Sequence, residues 1–363
     1  MQITRDNLDD FATGATVLGT GGGGDPYLGK LMAHQAIEEH GPVDLIDPTE
    51  VPDDALVIPS AMLGAPTVMV EKLPQGGEAL AAFEALETHL GQEAYATMSI
   101  EAGGLNSTIP IAVAAALNLP LVDADGMGRA FPEVQMVTFT LGGISAAPMS
   151  IADEKGNTLF LDTVDNQYAE SFARVTSIEM GGACMIGTYA LTGAQIREHA
   201  ILNSLSLAHD IGKSIRTAQQ HSRDPVESVL DRTDGYELFE GKLIDVQRRT
   251  EGGFAVGEAI LDGVSECDGR TLTLDFQNEN LVARDSAHGV IASVPDLITV
   301  VDAETGDPVT TEGLKYGHRV RVIGMPCSPK WRTDEGLSLV GPDYFGYSID
   351  YRPIEELQEA LND

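Results

Sequence analysis

The chain has 363 residues, 43% of them hydrophobic, which is enough for two domains with buried cores. Asp and Glu total 56 against 22 Lys and Arg, giving a formal net charge of -34, and only seven of the basic residues are lysine. The acidic residues are spread along the chain, which indicates an acidic surface rather than a disordered tail. Such a surface excludes nucleic acid and anionic membranes as favourable partners. It predicts a protein of a salt-accumulating halophile, because molar salt screens self-repulsion.

The chain carries no sign of export or membrane insertion. Its first residues lack a basic region followed by an apolar run, and no stretch of about 18 apolar residues occurs. The three cysteines are far apart in sequence, which indicates a reducing compartment and argues against a cysteine-built structural zinc site. We therefore expect a cytoplasmic protein.

A glycine-rich loop stands near the start of the chain, between a helix predicted to end at about Leu18 and a second predicted helix. Asp25 is a suitable N-cap for the second helix, and Pro26 fits its first position. The helix start and the exposed loop amides favour an anion or a polarised carbonyl, although a flexible turn is the alternative. The loop follows no strand and lacks Gly-Lys-Ser/Thr, so we expect no nucleotide cofactor. Its four consecutive glycines are Gly21, Gly22, Gly23 and Gly24.

Strands and helices then alternate, which predicts an α/β N-terminal domain with a mixed or parallel sheet. The predicted strands lie at 43–46, 55–58, 94–100 and 120–122, and the predicted helices at 78–90 and 108–117. Loops after such strands are the usual place for a site.

Two of these loops are rich in polar side chains. The first contains Glu101 and Asn106, with two glycines between them. The second contains Asp123, Asp125 and Arg129, which can bind a cation or a polar ligand. The alternative for the second loop is structural, with the two acids as N-caps and Arg129 pairing one of them. A calcium loop is excluded, because the remaining ligand positions and the closing Glu are missing.

Two further strands and a helix lead to the predicted domain boundary. Strands are predicted at 135–141 and 149–152, followed by a helix over 164–179, and we place the domains at 1–168 and 169–363. Cys184, after a glycine pair, is either a reactive thiol or a buried one. A helix over 202–222 precedes a β-rich region with repeated hairpins, in which residues 337–340 are predicted as a further strand and His288 lies in a turn.

The last polar patch holds the single tryptophan of the chain, Trp331, between Lys330 and Arg332. One interpretation is a cationic and aromatic wall that holds a planar anionic substrate. The other is that Trp331 fills a seam between domains while its neighbours are solvated.

Taken together, these segments resemble one family, the S-methyl-thiohydantoin desulfurases. The segments that carry the resemblance are Gly19–Tyr27, Glu101–Asn106, Asp123–Pro132, Lys330–Arg332, Gly341–Pro342 and Phe345–Tyr347. The resemblance implies an α/β N-terminal domain and a β-rich C-terminal domain. It also implies removal of the sulfur group from a sulfur-bearing cyclic ureide to leave a hydantoin, and an association with hydantoinase or oxoprolinase enzymes.

Replacing sulfur by oxygen at a ring carbon needs an activated water and a stabilised tetrahedral anion, which can be matched to these residues as a hypothesis. The predicted catalytic residues are Glu101, Asp123 and Asp125. The predicted substrate-binding residues are Gly21, Gly22, Gly23, Gly24, Asp25, Asn106, Arg129, Lys330, Trp331 and Arg332. A divalent metal ion, for which we favour zinc, is a further hypothesis, with candidate ligands Asp123, Asp125, His288 and Cys184.

The leading prediction is thus a hydrolase-like enzyme whose ligand is a small cyclic amide or thioamide. The alternative is a non-catalytic accessory subunit of a hydantoinase-type enzyme. We also expect a homo-oligomer, with the site lying between the two domains.

Overall fold

The computed structural model of the chain describes residues 1–24, 26–64 and 76–362. The glycine loop connects two helices, as predicted. The first, α1 (Leu8–Leu18), ends at Gly19, and the second, α2 (Pro26–His40), begins at the proline. The predicted cap, Asp25, lies outside the described residues.

The N-terminal part is a mixed sheet covered by helices. Its described strands are β1 (Gln2–Ile3), β2 (Val43–Ile46), β3 (Leu56–Gly64), β4 (Ala96–Met98), β5 (Leu121–Val122), β6 (Ala124–Asp125), β7 (Met149–Ala152), β8 (Thr158–Leu161), β9 (Ala183–Gly187), β10 (Leu191–Thr192) and β11 (Ile201–Leu202). The further helices are α3 (Gly77–Leu90), α4 (Ile109–Leu117), α5 (Thr138–Leu141), α6 (Asn166–Glu179), α7 (Gly193–His199), α8 (Ser204–Gln220) and α9 (Pro225–Thr233).

The strand order of this sheet is β1-β2-β5-β4-β3-β9-β7-β8, with β10 paired to β3. Strands β2, β5, β4 and β3 are parallel, and the remaining pairs are antiparallel. Strands β6 and β11 form a separate ribbon. The polar loops after β4 and β5 therefore leave the carboxyl ends of adjacent parallel strands, where open α/β sheets place ligands.

The C-terminal part is an antiparallel sheet with the order β16-β15-β14-β13-β12-β19-β17-β18. Its strands are β12 (Tyr236–Glu251), β13 (Phe254–Gly263), β14 (Thr271–Gln277), β15 (Glu279–Asp285), β16 (Gly289–Ser293), β17 (Leu297–Asp302), β18 (Pro308–Val309) and β19 (Arg319–Met325), followed by α10 (Asp334–Val340) and α11 (Ile354–Asn362). The predicted fold class, an α/β domain with a mixed sheet and a β-rich domain with some helices, is confirmed.

Two segments predicted as strands are helical. Residues 138–141 form α5, because the amide and hydroxyl of Thr138 both donate to the Gly126 carbonyl and dock a helical turn there. Residues 337–340 belong to α10, whose start is capped by the Thr333 hydroxyl, which accepts from the Gly336 amide at 3.0 Å. In both cases local contacts override the strand propensity of the apolar residues.

The first sheet draws on both sides of the predicted boundary at 168/169. Strand β9 lies between β3 and β7, so residues after the boundary complete the sheet begun before it. Helix α8, which follows the predicted boundary, likewise packs against α1, which precedes it. Within the described residues, no helix is long and apolar enough to cross a membrane.

Candidate functional site

A cavity of about 60 Å³ lies where the two parts of the chain meet. Its walls are formed by the glycine loop, the end of β3, the turn after β4 and segment 127–134, together with Asn278 and Glu279 from the C-terminal sheet. The apolar lining includes Met62, Ile100, Met127, Phe131 and Ile186.

The glycine loop approaches this cavity with its backbone. Gly23 and Gly24 have φ of +75° and +83°, a region that favours glycine. A Cβ on Gly23 would lie 2.5 Å from the Cα of Gly103, so the loop packs directly on the turn after β4. The Gly23 carbonyl accepts from the Leu105 amide at 2.8 Å, whereas no described residue accepts from the amides of Gly23 or Gly24. Both glycines line the cavity.

Glu101 is the first carboxyl group of the cavity. It is 4% exposed and follows β4. Asn106 holds it in place, since its Nδ2 donates to Glu101 Oε1 at 2.7 Å while its Oδ1 accepts from the Met62 amide at 2.8 Å. Burial raises the pKa of Glu101 to about 7, although the hydrogen bond from Asn106 opposes the rise. A carboxyl group that titrates near neutral pH can act as an acid or a base.

Glu279, at the start of β15, is the second carboxyl group of the cavity and is 2% exposed. Its Oε2 is buried without a hydrogen-bond partner among the described residues. Gly22 makes room for the other oxygen, because a Cβ there would lie 2.0 Å from Glu279 Oε1. Burial raises the pKa of Glu279 well above its ordinary value, and repulsion from Glu101 adds to the rise. The two carboxyl groups therefore favour a state in which one proton is retained.

Asp123 and Asp125 do not line the cavity. Asp123 Oδ1 accepts from the Leu205 and Ser206 amides, both at 3.0 Å, and thereby caps the start of α8. Asp125 Oδ2 accepts from the Met127 and Gly128 amides at 2.9 and 2.7 Å. Burial raises the pKa of Asp125 to about 6. These contacts fit the capping alternative, and the catalytic roles of both acids stay predictions.

Arg129 is completely buried, and each nitrogen of its guanidinium is hydrogen-bonded. Nη2 donates to Thr20 Oγ1 at 2.9 Å and to the Asn280 carbonyl at 3.2 Å, and Nη1 donates to the Asp296 carbonyl at 2.8 Å. The side chain thus ties the glycine loop to the C-terminal sheet. Burial lowers the pKa of Arg129 to about 10, and the nearby Glu279 opposes this change.

Comparison with known proteins places the chain in a family. Sequence profiles match residues 6–163 as an S-Me-THD-like N-terminal domain and residues 164–354 as an S-Me-THD-like C-terminal domain. The chain belongs to the S-Me-THD-like family. The family membership predicted from the sequence segments is therefore confirmed.

A solved structure shares the fold of this S-Me-THD-like protein over nearly the whole length of the chain. A crystal structure of a protein from Chromobacterium violaceum has a TM-score of 0.81 at 24% sequence identity, and the match covers 98% of this chain and 100% of that chain. Among curated proteins, no relative matches the chain.

In this S-Me-THD-like chain, the patch around Trp331 does not line the cavity. Trp331 is fully buried, and its Nε1 donates to the Met127 carbonyl at 2.8 Å. Lys330 donates to the carbonyls of residues 198 and 200, and Arg332 pairs with Asp296 at 3.0 Å. This geometry fits the interpretation in which the tryptophan fills a seam, and a role in substrate binding stays a prediction.

The four candidate metal ligands lie in separate environments. Cys184 is buried in β9 opposite Leu63, whereas His288 is 40% exposed beside Asp285 in the C-terminal sheet. Asp123 and Asp125 cap different turns. In the part of the chain that the structure describes, no three His, Cys, Asp or Glu side chains group in a way that could hold a metal ion. A divalent metal ion at these residues stays a prediction, and no step proposed below runs through a metal.

Sequence reasoning missed Glu279. It stands in Asn278-Glu-Asn280, a polar segment between two strands of the predicted β-rich region. The φ of Asn278 is +59°, as such a turn requires, but the fold buries the glutamate that follows. The sequence carries no local signal for this burial, because polar residues are common in turns between strands.

The pKa of Glu101 predicts how stability depends on pH. In the unfolded chain the group titrates near its ordinary value of 4.5, and in the folded chain at about 7. The folded state therefore holds more protons in this interval, so the free energy of unfolding should fall as pH rises through it, by up to about 3 kcal/mol. Glu101→Gln removes the free-energy cost of ionising this buried carboxyl group. The variant should therefore be more stable than the wild type at pH 8 and similar in stability at pH 4.5. Urea unfolding at both pH values, at one salt concentration, measures this. An equal difference at the two pH values would contradict it.

Proposed function

We propose that this protein is a hydrolase that replaces the sulfur group of a thiohydantoin-type ring with oxygen. The observation that carries the proposal is the pair of buried carboxyl groups, one from each part of the chain, that line one cavity beside Gly23 and Gly24 of the glycine loop. Membership of the S-Me-THD-like family supports the substrate class.

The proposed reaction on an S-methyl-thiohydantoin is a hydrolysis without a redox change. Water adds to the ring carbon that carries the sulfur, forming a C–O bond and a tetrahedral intermediate. The C–S bond then breaks, and methanethiol leaves. One proton of the water ends on the ring nitrogen and the other on the departing sulfur, so the products are a hydantoin and a thiol.

The cavity offers a group for each of these steps. Glu101, whose pKa burial raises to about 7, is the proposed base that takes a proton from the attacking water. Glu279, whose pKa burial raises well above its ordinary value, is the proposed acid for the leaving sulfur. The amides of Gly23 and Gly24 would donate to the ring atom on which negative charge develops. The apolar lining would hold the flat ring and exclude water.

The test is turnover of an S-methyl-thiohydantoin by the wild-type protein in water labelled with oxygen-18. The proposal predicts release of methanethiol, followed with a thiol reagent, and one labelled oxygen in the hydantoin, followed by mass spectrometry. Heat-denatured protein serves as the control. Release of thiol no faster than in this control, or a hydantoin without label, would contradict the proposal.

A further inference from the structure

Glu133 is a third carboxyl group that lines the cavity, and the proposed mechanism does not use it. The side chain is half-buried and is held through one of its oxygens. The hydroxyl of Tyr344 donates to Glu133 Oε2 at 2.6 Å, and Gln135 Nε2 donates to the same oxygen. Burial and the neighbouring Glu133 raise the pKa of Tyr344, so its hydroxyl stays protonated and donates. The other oxygen, Oε1, accepts from no residue in the described part of the chain.

The backbone on both sides of Glu133 is fixed by helix α6. Arg174 Nη2 donates to the Pro132 carbonyl at 2.9 Å, and Glu170 Oε2 accepts from the Val134 amide at 2.9 Å. A carboxyl group with a fixed backbone and one restrained oxygen loses little freedom when a ligand binds. Glu133 is therefore preorganised as an acceptor in the cavity wall.

The charge of Glu133 is not neutralised by a cation of the protein. No lysine, arginine or histidine among the described residues forms an ion pair with it. Arg174, which also lines the cavity, pairs with Glu170 at 2.7 Å instead. An N–H group that enters the cavity would therefore form a charge-assisted hydrogen bond with Glu133, and such bonds are stronger than those between neutral groups.

We propose that Glu133 determines which rings this site accepts, because its Oε1 binds an N–H group of the ring. The inference rests on the proposed function for the kind of ring. An S-methyl-thiohydantoin with unsubstituted nitrogens retains a ring N–H, and the hydantoin product has one on each nitrogen. A ring alkylated at the contacted nitrogen cannot donate and leaves the carboxylate without a partner, so the site rejects it. Tyr344 is the positioning residue that orients Glu133. The turn that holds Tyr344 joins two segments of the family resemblance, Gly341–Pro342 and Phe345–Tyr347.

The test is isothermal titration calorimetry of the full-length protein with hydantoin, 1-methylhydantoin and 3-methylhydantoin. The wild type should bind one of the two methylated rings at least about tenfold more weakly than hydantoin, because that ring lacks the contacted N–H. Glu133→Gln keeps an oxygen that accepts from Tyr344 but presents an NH₂ group in place of Oε1. This variant should raise the Kd of hydantoin at least about tenfold and leave the Kd of the weakly bound methylated ring unchanged. A role in folding alone would weaken all three rings alike.

Two further variants complete the experiment, and thermal unfolding verifies that each is folded. Tyr344→Phe should raise the Kd of hydantoin by a smaller factor, because Gln135 still donates to Glu133 Oε2. Glu84→Gln, at an exposed glutamate on α3, makes the same chemical change outside the cavity and should leave the Kd unchanged.

Three results would overturn the proposal: an unchanged Kd of hydantoin in Glu133→Gln, an equal loss for all three rings, or a wild type that binds the three rings equally or not at all. Binding needs no turnover, so this test is separate from that of the proposed function. Thiol release with an unchanged Kd in Glu133→Gln would contradict only the role of Glu133. The predicted binding pattern without thiol release would contradict only the proposed reaction.

Discussion

Replacing Arg129 by methionine is expected to lower the free energy of unfolding by about 3–5 kcal/mol. The guanidinium is fully buried, and it donates to Thr20 in the glycine loop and to the carbonyls of Asn280 and Asp296 in the C-terminal part. Methionine fills much of the volume but donates no hydrogen bond. The change removes one donor from each of these acceptors and removes a positive charge that interacts with Glu279. Urea unfolding at fixed pH and salt concentration measures the loss.

Two further variants keep this prediction testable if Arg129→Met does not fold. Arg129→Lys keeps the charge but loses the planar set of donors, so we expect a smaller but clear destabilisation. Arg249→Met removes an exposed arginine that pairs with Glu251, and we expect a change below about 1 kcal/mol. Equal effects of the substitutions at positions 129 and 249 would show that the buried guanidinium does not hold the two parts together.

Most elements of the fold were predictable, because their signals are local. The proline at the start of α2, the Thr192 cap of α7 and the hairpin of β12 and β13 are each specified by residues close in sequence. The strand predictions at 138–141 and 337–340 are wrong, because in each short segment a specific hydrogen bond stabilises a helical conformation. The insertion of β9 between β3 and β7 was not predictable, because strand order depends on packing across the whole sheet.

The site was predictable only in its N-terminal half. Glu101, Asn106 and the glycine loop stand in segments whose composition is unusual, and the structure brings them together at one cavity. Glu279 belongs to an ordinary turn sequence and reaches the cavity because the C-terminal sheet docks there. The patch around Trp331 has an unusual composition as well, yet its contacts are those of a packed seam. Unusual composition identifies candidate residues. It does not tell a site residue such as Glu101 from a packed structural residue such as Trp331, because that distinction depends on the partners of each side chain in the fold.

Replacing Glu101 by glutamine is expected to lower kcat/KM for an S-methyl-thiohydantoin by about 10²–10⁴-fold, the contribution of a positioned general base. Glutamine keeps the size of the side chain and an oxygen that accepts from Asn106 Nδ2, so the cavity should keep its shape. The pH dependence follows from the same role. A base acts when deprotonated, so wild-type kcat/KM should rise as pH increases towards about 7, the pKa of Glu101, and fall only at the higher pH at which the proposed acid Glu279 loses its proton. The residual activity of the variant should lack this rise.

Loss of activity in Glu101→Gln cannot be attributed to unfolding if the variant is also more stable at pH 8, as its pKa predicts. This combination separates a catalytic carboxyl group from one that only supports the fold. Removing a supporting carboxyl group would lower stability and activity together.

The most direct test of the account is the rate of thiol release at pH 8 by the wild type, Glu101→Gln and Glu84→Gln. Glu84 is an exposed glutamate on α3 and provides the matched control for the same chemical change. We predict equal rates for the wild type and Glu84→Gln, and a rate at least 100-fold lower for Glu101→Gln, within the range expected for loss of a general base. A folded Glu101→Gln protein that releases thiol at the wild-type rate would contradict the assignment of this cavity as the active site.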